Sequence, residues 1–366
     1  MMMMVQREER WAWILHVAIV LVVSISSATC AQTTVLPLIG TIGSCTYCEY
    51  VRDAIASADR SLDILLSNAE LDEVSLWDAI VAASDRGVVV RVLLDESDWA
   101  QSITDKNRPT IDYLLAHGIA ARFDDPSVTT HAKLLVIDCR IVILGSTNWN
   151  EHSFYDQEQA DVSIENAAVG EVFASYFDRL WNGTLFPGAV RLQVDSISPD
   201  EPLIIPLPET VDTENYPAVL FRLVSQARES IHVVMYRISH YPQYQQSVTN
   251  NILDALITAA GRGLDVRVYM DDCAFYESDK EANLQAARYL SDHGVDVRMD
   301  DPSIVTHAKL VIIDQRTVIL GSTNWNYYSL ARNNETDIAF IDSPNVAAPY
   351  EAFFQQLWGD GRLPGG

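Results

Sequence analysis

The sequence predicts an α/β protein built from two tandem repeats, and three observations lead there. Residues 117–150 (HGIAARFDDPSVTTHAKLLVIDCRIVILGSTNWN) align without a gap to residues 293–326 (HGVDVRMDDPSIVTHAKLVIIDQRTVILGSTNWN), with 24 of 34 pairs identical at an offset of 176. Within each copy, apolar runs of strand length alternate with segments of helical spacing. Between the copies lies a stretch, 185–217, that holds six prolines and several acids, the composition of a connection and not of a third domain.

In the first copy, Val51–Ala58 has helical spacing, Leu62–Leu66 is a short apolar strand, and Leu76–Ser84 is again helical, ending at Gly87. Val88–Leu94 is a β-branched buried strand, and Ile111–Ala116 is a helix stopped by His117-Gly118. Leu134–Ile137 and Ile141–Leu144 are apolar runs split by Asp138-Cys139-Arg140, a hairpin or tight-turn signal. Phe173–Trp181 and Tyr350–Trp358 read as matching closing helices. The offset of 176 also pairs Arg86-Gly87 with Arg262-Gly263, whereas residues 55–63 match 224–232 at 169, so the second copy carries seven extra residues, placed around Tyr241–Ser247. Two such units give two mixed sheets covered by helices: 40–184 as repeat one, 185–217 as linker, 218–366 as repeat two.

The 366 residues include 25 Lys+Arg against 50 Asp+Glu, a formal charge of −25. Sequence-independent nucleic-acid binding rests on Lys and Arg neutralising phosphates, so an extended polynucleotide-binding face is disfavoured. A small basic pocket that grips one phosphate is compatible with this charge. Residues 1–31 read as a targeting segment: an apolar run, Trp11–Val23, broken only by His16, then small residues to Ala31. The run is short for a membrane span and fits the core of a secretory signal, cleaved near Ala28 or Ala31; an uncleaved anchor over residues 11–28 is the alternative. The expected location is therefore secreted or extracytoplasmic. Of five cysteines, Cys45 and Cys48 form a C-x-x-C that reads equally as a local disulfide or as two thiols.

Inside the repeated block stand His131, Lys133, Asp138, Gly145, Ser146 and Asn148, and again His307, Lys309, Asp314, Gly321, Ser322 and Asn324. Alternate residues of a strand point the same way, so each His and Lys project into one cleft. The asparagine beyond the next strand approaches from the side. A nitrogen nucleophile, a cation and amide donors on one spot are the parts needed to attack phosphorus and hold the charge on its oxygens. Glycine before the serine permits close backbone approach to a ligand.

These residues resemble the signature of the phospholipase D superfamily, complete in both copies. The resemblance implies repeats packed about a pseudo-twofold axis, with His131 and His307 on opposite sides of one phosphate. One neutral imidazole, assigned to His131, attacks phosphorus and forms a phosphohistidine. The other, protonated, gives a proton to the leaving alcohol, and water or an acceptor alcohol resolves the intermediate. Lys133, Lys309, Asn148 and Asn324 hold the non-bridging oxygens, with Ser146 and Ser322 assisting; no metal or cofactor is called for. Family members place a carboxylate about eleven residues after the asparagine to orient a histidine. Glu335 stands there in repeat two, but repeat one has Gln159, with Glu158 as a substitute and Asp161 with Asp337 as a second candidate pair.

Several features have plainer readings. Asp138 and Asp314 are expected as turn formers, and Asp124-Asp125-Pro126 as a turn in preference to a metal cluster. Trp149 and Trp325 fit groove lining or core equally, the two Asn-x-Thr triplets at Asn182 and Asn334 are read as chance, and Cys139 has no catalytic part. The expected activity is hydrolysis of phospholipid head groups by a monomer able to associate with membranes. A nuclease and a phosphatidyltransferase of the cardiolipin synthase type are the rivals, and a non-catalytic binding module is disfavoured by the intact motifs.

Overall fold

The computed structural model describes residues 23–24, 33–72, 76–97, 100–183, 193–211, 213–272 and 277–364. Except for Val23 and Ser24, the targeting segment lies outside the described residues. The two described residues form a short strand, β1 (Val23–Ser24). Repeat one then runs β2 (Thr34–Gly40), α1 (Thr46–Ala56), β3 (Ser61–Leu66), α2 (Trp77–Asp85), β4 (Val89–Leu94), α3 (Gln101–Ala116), β5 (Ala120–Phe123), β6 (Lys133–Ile137), β7 (Ile141–Gly145), α4 (Glu151–Tyr155), β8 (Gln157–Glu165) and α5 (Ala167–Trp181). Repeat two runs β9 (Leu203–Glu209), α6 (Asn215–Gln226), β10 (Ser230–Met235), α7 (Val248–Gly261), β11 (Asp265–Met270), α8 (Glu277–Asp292), β12 (Asp296–Met299), β13 (Val305–Thr306), β14 (Lys309–Ile313), β15 (Thr317–Gly321), α9 (Tyr327–Ala331), β16 (Glu335–Ile341) and α10 (Pro344–Asp360).

The second sheet has the order β1-β9-β16-β15-β14-β10-β11-β12, and the first mirrors it as β2-β8-β7-β6-β3-β4-β5 with β13 also on β8. In each, three parallel strands (β3, β4, β5 and β10, β11, β12) continue into an antiparallel set. The outer helices cover one face of each sheet over separate cores, Leu62, Trp77 and Trp149 in repeat one and Leu253, Leu290 and Trp325 in repeat two. The inner faces share a single core in which Leu134 and Leu144 meet Leu310 and Leu320 together with Phe173, Phe177, Tyr350 and Phe354. The cross-repeat bonds are reciprocal: His131 N of repeat one donates to the carbonyl of Asn334 (2.9 Å), and the equivalent His307 N donates to the carbonyl of Glu158 (2.9 Å). Such i-to-j, j-to-i contacts are what a twofold relation produces.

The linker expected over 185–217 is corrected. Its part 203–209 is a sheet strand, paired with β16 over its whole length, and the chain enters α6 at Asn215. The counterpart β2 likewise lies before the expected start at residue 40. Both strands were masked in the sequence by a central proline, Pro37 and Pro206. Proline removes a ladder donor and is tolerated here because β2 and the middle of β9 lie on sheet edges. α3 is also longer than expected, because its first turns (QSITDKNRPT) are polar and contain Pro109. One of these polar residues, the fully buried Asn107, staples loops together: it accepts from Ala69 N (2.8 Å) and donates to the carbonyls of Ser67 (2.8 Å) and Asp95 (3.0 Å). Asn283 repeats this on Ile238, Tyr236 and Asp271. Asn283→Ala strands three buried backbone groups, and urea unfolding is expected to show a loss of about 3 kcal/mol or more.

Candidate active site

Each His-x-Lys segment is pinned from two sides before its strand begins. The N–H groups of His131 and Ala132 donate to the carbonyl of Asn334 (2.9 and 3.1 Å), and those of His307 and Ala308 to that of Glu158 (2.9 and 3.0 Å). One residue earlier, Thr130 N donates to Asp95 Oδ1 (2.6 Å) and Thr306 N to Asp271 Oδ1 (2.9 Å). Asp95 is buried beside Asp124, and burial first, then that neighbouring charge, push its carboxyl up to about 8. Its Oδ1 anchors the strand entry, and burial favours its neutral form.

The imidazoles are oriented crosswise by the opposite repeat, and not in the same way. His131 Nδ1 lies 2.9 Å from Glu335 Oε2, a fully buried carboxylate that also accepts from Ser322 Oγ (2.6 Å) and Asn333 Nδ2 (3.1 Å). His307 Nδ1 faces the carbonyl of Ser146 (3.0 Å) and Gln159 Oε1 (3.2 Å). All these partners are acceptors, so Nδ1 carries the hydrogen in both rings and Nε2 is left as the reactive nitrogen. The missing carboxylate of repeat one therefore affects the second histidine, not the first. Glu158 is corrected as its substitute: its main chain holds His307, but its side chain is turned to the Thr306 hydroxyl (3.4 Å).

The electrostatics follow from this asymmetry. Burial would raise the Glu335 carboxyl, but the pull of His131, Lys133 and the Ser322 hydroxyl together holds it below its usual range. Burial lowers His131, with Glu335 opposing. His307 sits well below the usual imidazole range, first through burial and then through the charges of Lys309, Lys133 and His131. Burial pulls Lys133 down to about 8, while burial and then Lys133 hold Lys309 far below an ordinary lysine. Mutual influence of His131, Lys133, His307 and Lys309 places all four in one centre. Burial also pushes Asp161 up to about 6 and Asp337 well above its usual range. Four crowded basic groups, each held below its usual range, thus face the ionised carboxylate of Glu335, and an anion placed among them favours their charged forms.

Each lysine ammonium donates to the carbonyl of its own histidine, Lys133 to His131 and Lys309 to His307. Asn148 Oδ1 and Asn324 Oδ1 are buried without a hydrogen-bond partner, and because an amide oxygen only accepts, it is the Nδ2 groups of these asparagines that can donate to an anion's oxygens. The serines have another role than the expected contact with phosphate oxygens. Ser146 Oγ donates to Gln159 Oε1 (2.7 Å), as Ser322 does to Glu335, so they steady the histidine partners. The glycine reading is corrected too: a Cβ on Gly145 or Gly321 would lie 2.3 Å from Asp161 Oδ1 or Asp337 Oδ1, so the close approach is to an aspartate and not to a ligand. Those aspartates accept from the hydroxyls of Thr147 (2.5 Å) and Thr323 (2.6 Å), fixing the loops that carry the asparagines.

Asp138 and Asp314 occupy left-handed turn positions (φ 54° and 52°) and accept the backbone N–H groups that lead into β3 and β10, including Ser61 N (2.9 Å) and Ser230 N (3.0 Å). Asp125 accepts from Ser127 N and Oγ in a turn (3.0 and 2.7 Å). Trp149 and Trp325 are core residues whose indole N–H groups donate to the hydroxyls of Tyr47 (3.1 Å) and Tyr216 (2.9 Å). Cys45 and Cys48, one residue to either side of the Thr46-Tyr47 pair, are joined in a disulfide. Sequence reasoning missed Tyr236, whose ring lies 4.8 Å from that of His307 and 4.8 Å from Lys309 Nζ. Its counterpart in repeat one, at an offset of 169, is Ser67, so the only available signal was a mismatch between the copies.

Two pseudo-symmetric α/β halves sharing one centre of two histidines and two lysines define a duplicated protein with a composite site. The chain belongs to the phospholipase D superfamily: the family described as "Cardiolipin synthase, PLD-like domain" matches residues 51–181 and again 220–358. Phospholipase D Y of Dictyostelium discoideum is 29% identical over 142 residues, 37% of this chain and 32% of that protein. The mitochondrial cardiolipin hydrolase of Chlamydomonas reinhardtii is 28% identical over 145 residues, 37% of this chain and 62% of that protein. The matches thus span less than two thirds of either relative. The phosphatidylserine synthase of Haemophilus influenzae shares the fold, with a TM-score of 0.70 at 13% identity over 93% of this chain and 89% of that one.

Proposed function

We propose that the chain hydrolyses phospholipid head groups through a phosphohistidine on His131. The observation that carries the assignment of roles is the single carboxylate, Glu335, hydrogen-bonded to His131 Nδ1. When Nε2 of His131 bonds to phosphorus the ring becomes cationic, and a buried carboxylate 2.9 Å away stabilises that charge. His307, held by neutral oxygens, is the weaker base and so, once protonated, the stronger acid.

In the first step the P–Nε2 bond forms, the bond from phosphorus to the head-group oxygen breaks, and the Nε2 proton of His307 passes to that oxygen. In the second, neutral His307 takes a proton from water, the hydroxide attacks phosphorus and the P–N bond breaks, leaving phosphatidic acid. The bound diester places negative charge beside His307 and both lysines, which favours their protonation. Lys133, Lys309, Asn148 and Asn324 receive the non-bridging oxygens. Phospholipid names among the relatives and the acidic surface support lipid over polynucleotide.

The test is incubation of purified protein with phosphatidylcholine, phosphatidylglycerol and single-stranded DNA, each with a chelator present. Free head group with phosphatidic acid is the expected product. Cleavage of DNA alone would replace this reading with the nuclease one, and transfer to added glycerol without hydrolysis would replace it with phosphatidyl transfer.

A further inference from the structure

We propose that the rim of the active-site cleft is a docking surface for a zwitterionic phospholipid bilayer, an inference that rests on the lipid reading above. Nine large apolar or tyrosyl side chains are exposed among the described residues, and five of them, Ile42, Leu71, Tyr244, Tyr327 and Tyr328, stand on segments next to the catalytic loops. Ile42 lies in the turn just beyond Gly40, which pairs with Gln159. Leu71 follows Glu70, whose N–H donates to the carbonyl of Trp149, the neighbour of Asn148 (2.8 Å). Tyr327 and Tyr328 open α9, two and three residues after Trp325, itself bridged to Ile238. Tyr241, from the loop after β10, holds the N–H of Tyr327 through its hydroxyl (3.2 Å) and so ties the two tyrosine-bearing segments together.

The two halves differ where a contact face would form. Tyr327 and Tyr328 correspond to Glu151 and His152, and Tyr241 and Tyr244 fall in the seven-residue excess that repeat one lacks. Tyr244, Tyr327 and Tyr328 are 65%, 51% and 67% exposed, an unfavourable display for aromatic rings unless something covers them. Tyrosine, with an apolar body and a polar tip, is suited to the boundary between head groups and acyl chains. The segments 41–44, 70–72, 239–247 and 326–328 contain no Lys or Arg, and the chain carries −25 overall. Binding to anionic lipid or to single-stranded nucleic acid draws on clustered cations, which these four segments lack, and the neighbouring Lys106 and Arg237 are each paired with a carboxylate, Glu70 and Asp279. A bilayer of zwitterionic lipid demands none.

The test measures binding apart from turnover, in the His131→Ala background, by sedimentation with vesicles of phosphatidylcholine alone and of phosphatidylcholine mixed with phosphatidylserine, and by titration with single-stranded DNA. The parent is expected to sediment with phosphatidylcholine and less with the mixture. Adding Tyr244→Ala, Tyr327→Ala and Tyr328→Ala should weaken that partition about ten-fold or more. The same three changes in the active protein should leave cleavage of soluble bis(p-nitrophenyl) phosphate unchanged. Equal sedimentation with and without the tyrosines, failure of the parent to sediment with phosphatidylcholine, or tyrosine-dependent binding of DNA in its place would each overturn the proposal. Sedimentation without lipid cleavage by the active protein would instead reject the hydrolase reading and leave the docking surface standing.

Discussion

His131→Ala and His307→Ala are each expected to lower turnover of an alkyl phosphodiester by about 10⁴-fold or more, but for separable reasons. Without His131 no P–N bond forms, and no leaving group restores the rate. Without His307 the nucleophile and Glu335 remain, and what is lost is the proton for the departing oxygen and, later, the base for water. A p-nitrophenolate leaves without a proton, so His307→Ala should still release one equivalent of p-nitrophenol per site from a p-nitrophenyl phosphodiester and then stall. His131→Ala should show no burst. Stopped-flow absorbance distinguishes the two, and unfolding curves show whether removal of His131 harms the fold by stranding the Glu335 carboxylate.

Glu335→Gln is the second large effect, with a loss on the order of 10³–10⁴-fold in kcat, the scale on which a neutral amide fails to replace a histidine-orienting carboxylate. The amide still reaches His131 Nδ1 but offers no charge to the phosphohistidine, so the fold and substrate affinity should change far less than kcat. The complementary change, Gln159→Glu, places a carboxylate beside His307, whose ring now meets only neutral oxygens. kcat/KM requires His131 neutral and His307 protonated. Because His307 lies well below the usual imidazole range, activity should be greatest on the acidic side and decline as pH rises. A new carboxylate raises the affinity of His307 for its proton, so a larger fraction of Gln159→Glu carries the required pair of neutral His131 and protonated His307, and its kcat/KM at the optimum should rise by about ten-fold. A pH–rate profile of both proteins reads this directly.

The duplication, both sheets in outline and the His, Lys and Asn positions were legible because identity between the copies survives where backbone and chemistry constrain every residue. The crossing of partners was not legible. Glu335 and Gln159 stand eleven residues after the asparagines of their own repeats, and only the twofold packing sends each to the histidine of the other. Polar residues in buried strands defeated periodicity for the same reason: Gln157, Gln159 and Asp161 make β8 look like a loop, yet they face partners inside the site. Asn107 and Asn283 are buried in helices that polar composition conceals, and their staples have no local sequence signature. Tyr236 and the tyrosine-bearing loop after β10 lie where the copies differ, the region a repeat alignment discards.

The reaction of a radiolabelled p-nitrophenyl phosphodiester with the His307→Ala protein, quenched after the burst at alkaline pH and mapped by mass spectrometry of the peptides, addresses the central claim most directly. A phosphoryl adduct on the ring of His131, absent when Glu335 is also changed to Gln, is the predicted result. Label on any other side chain, or steady turnover with no adduct, would contradict it.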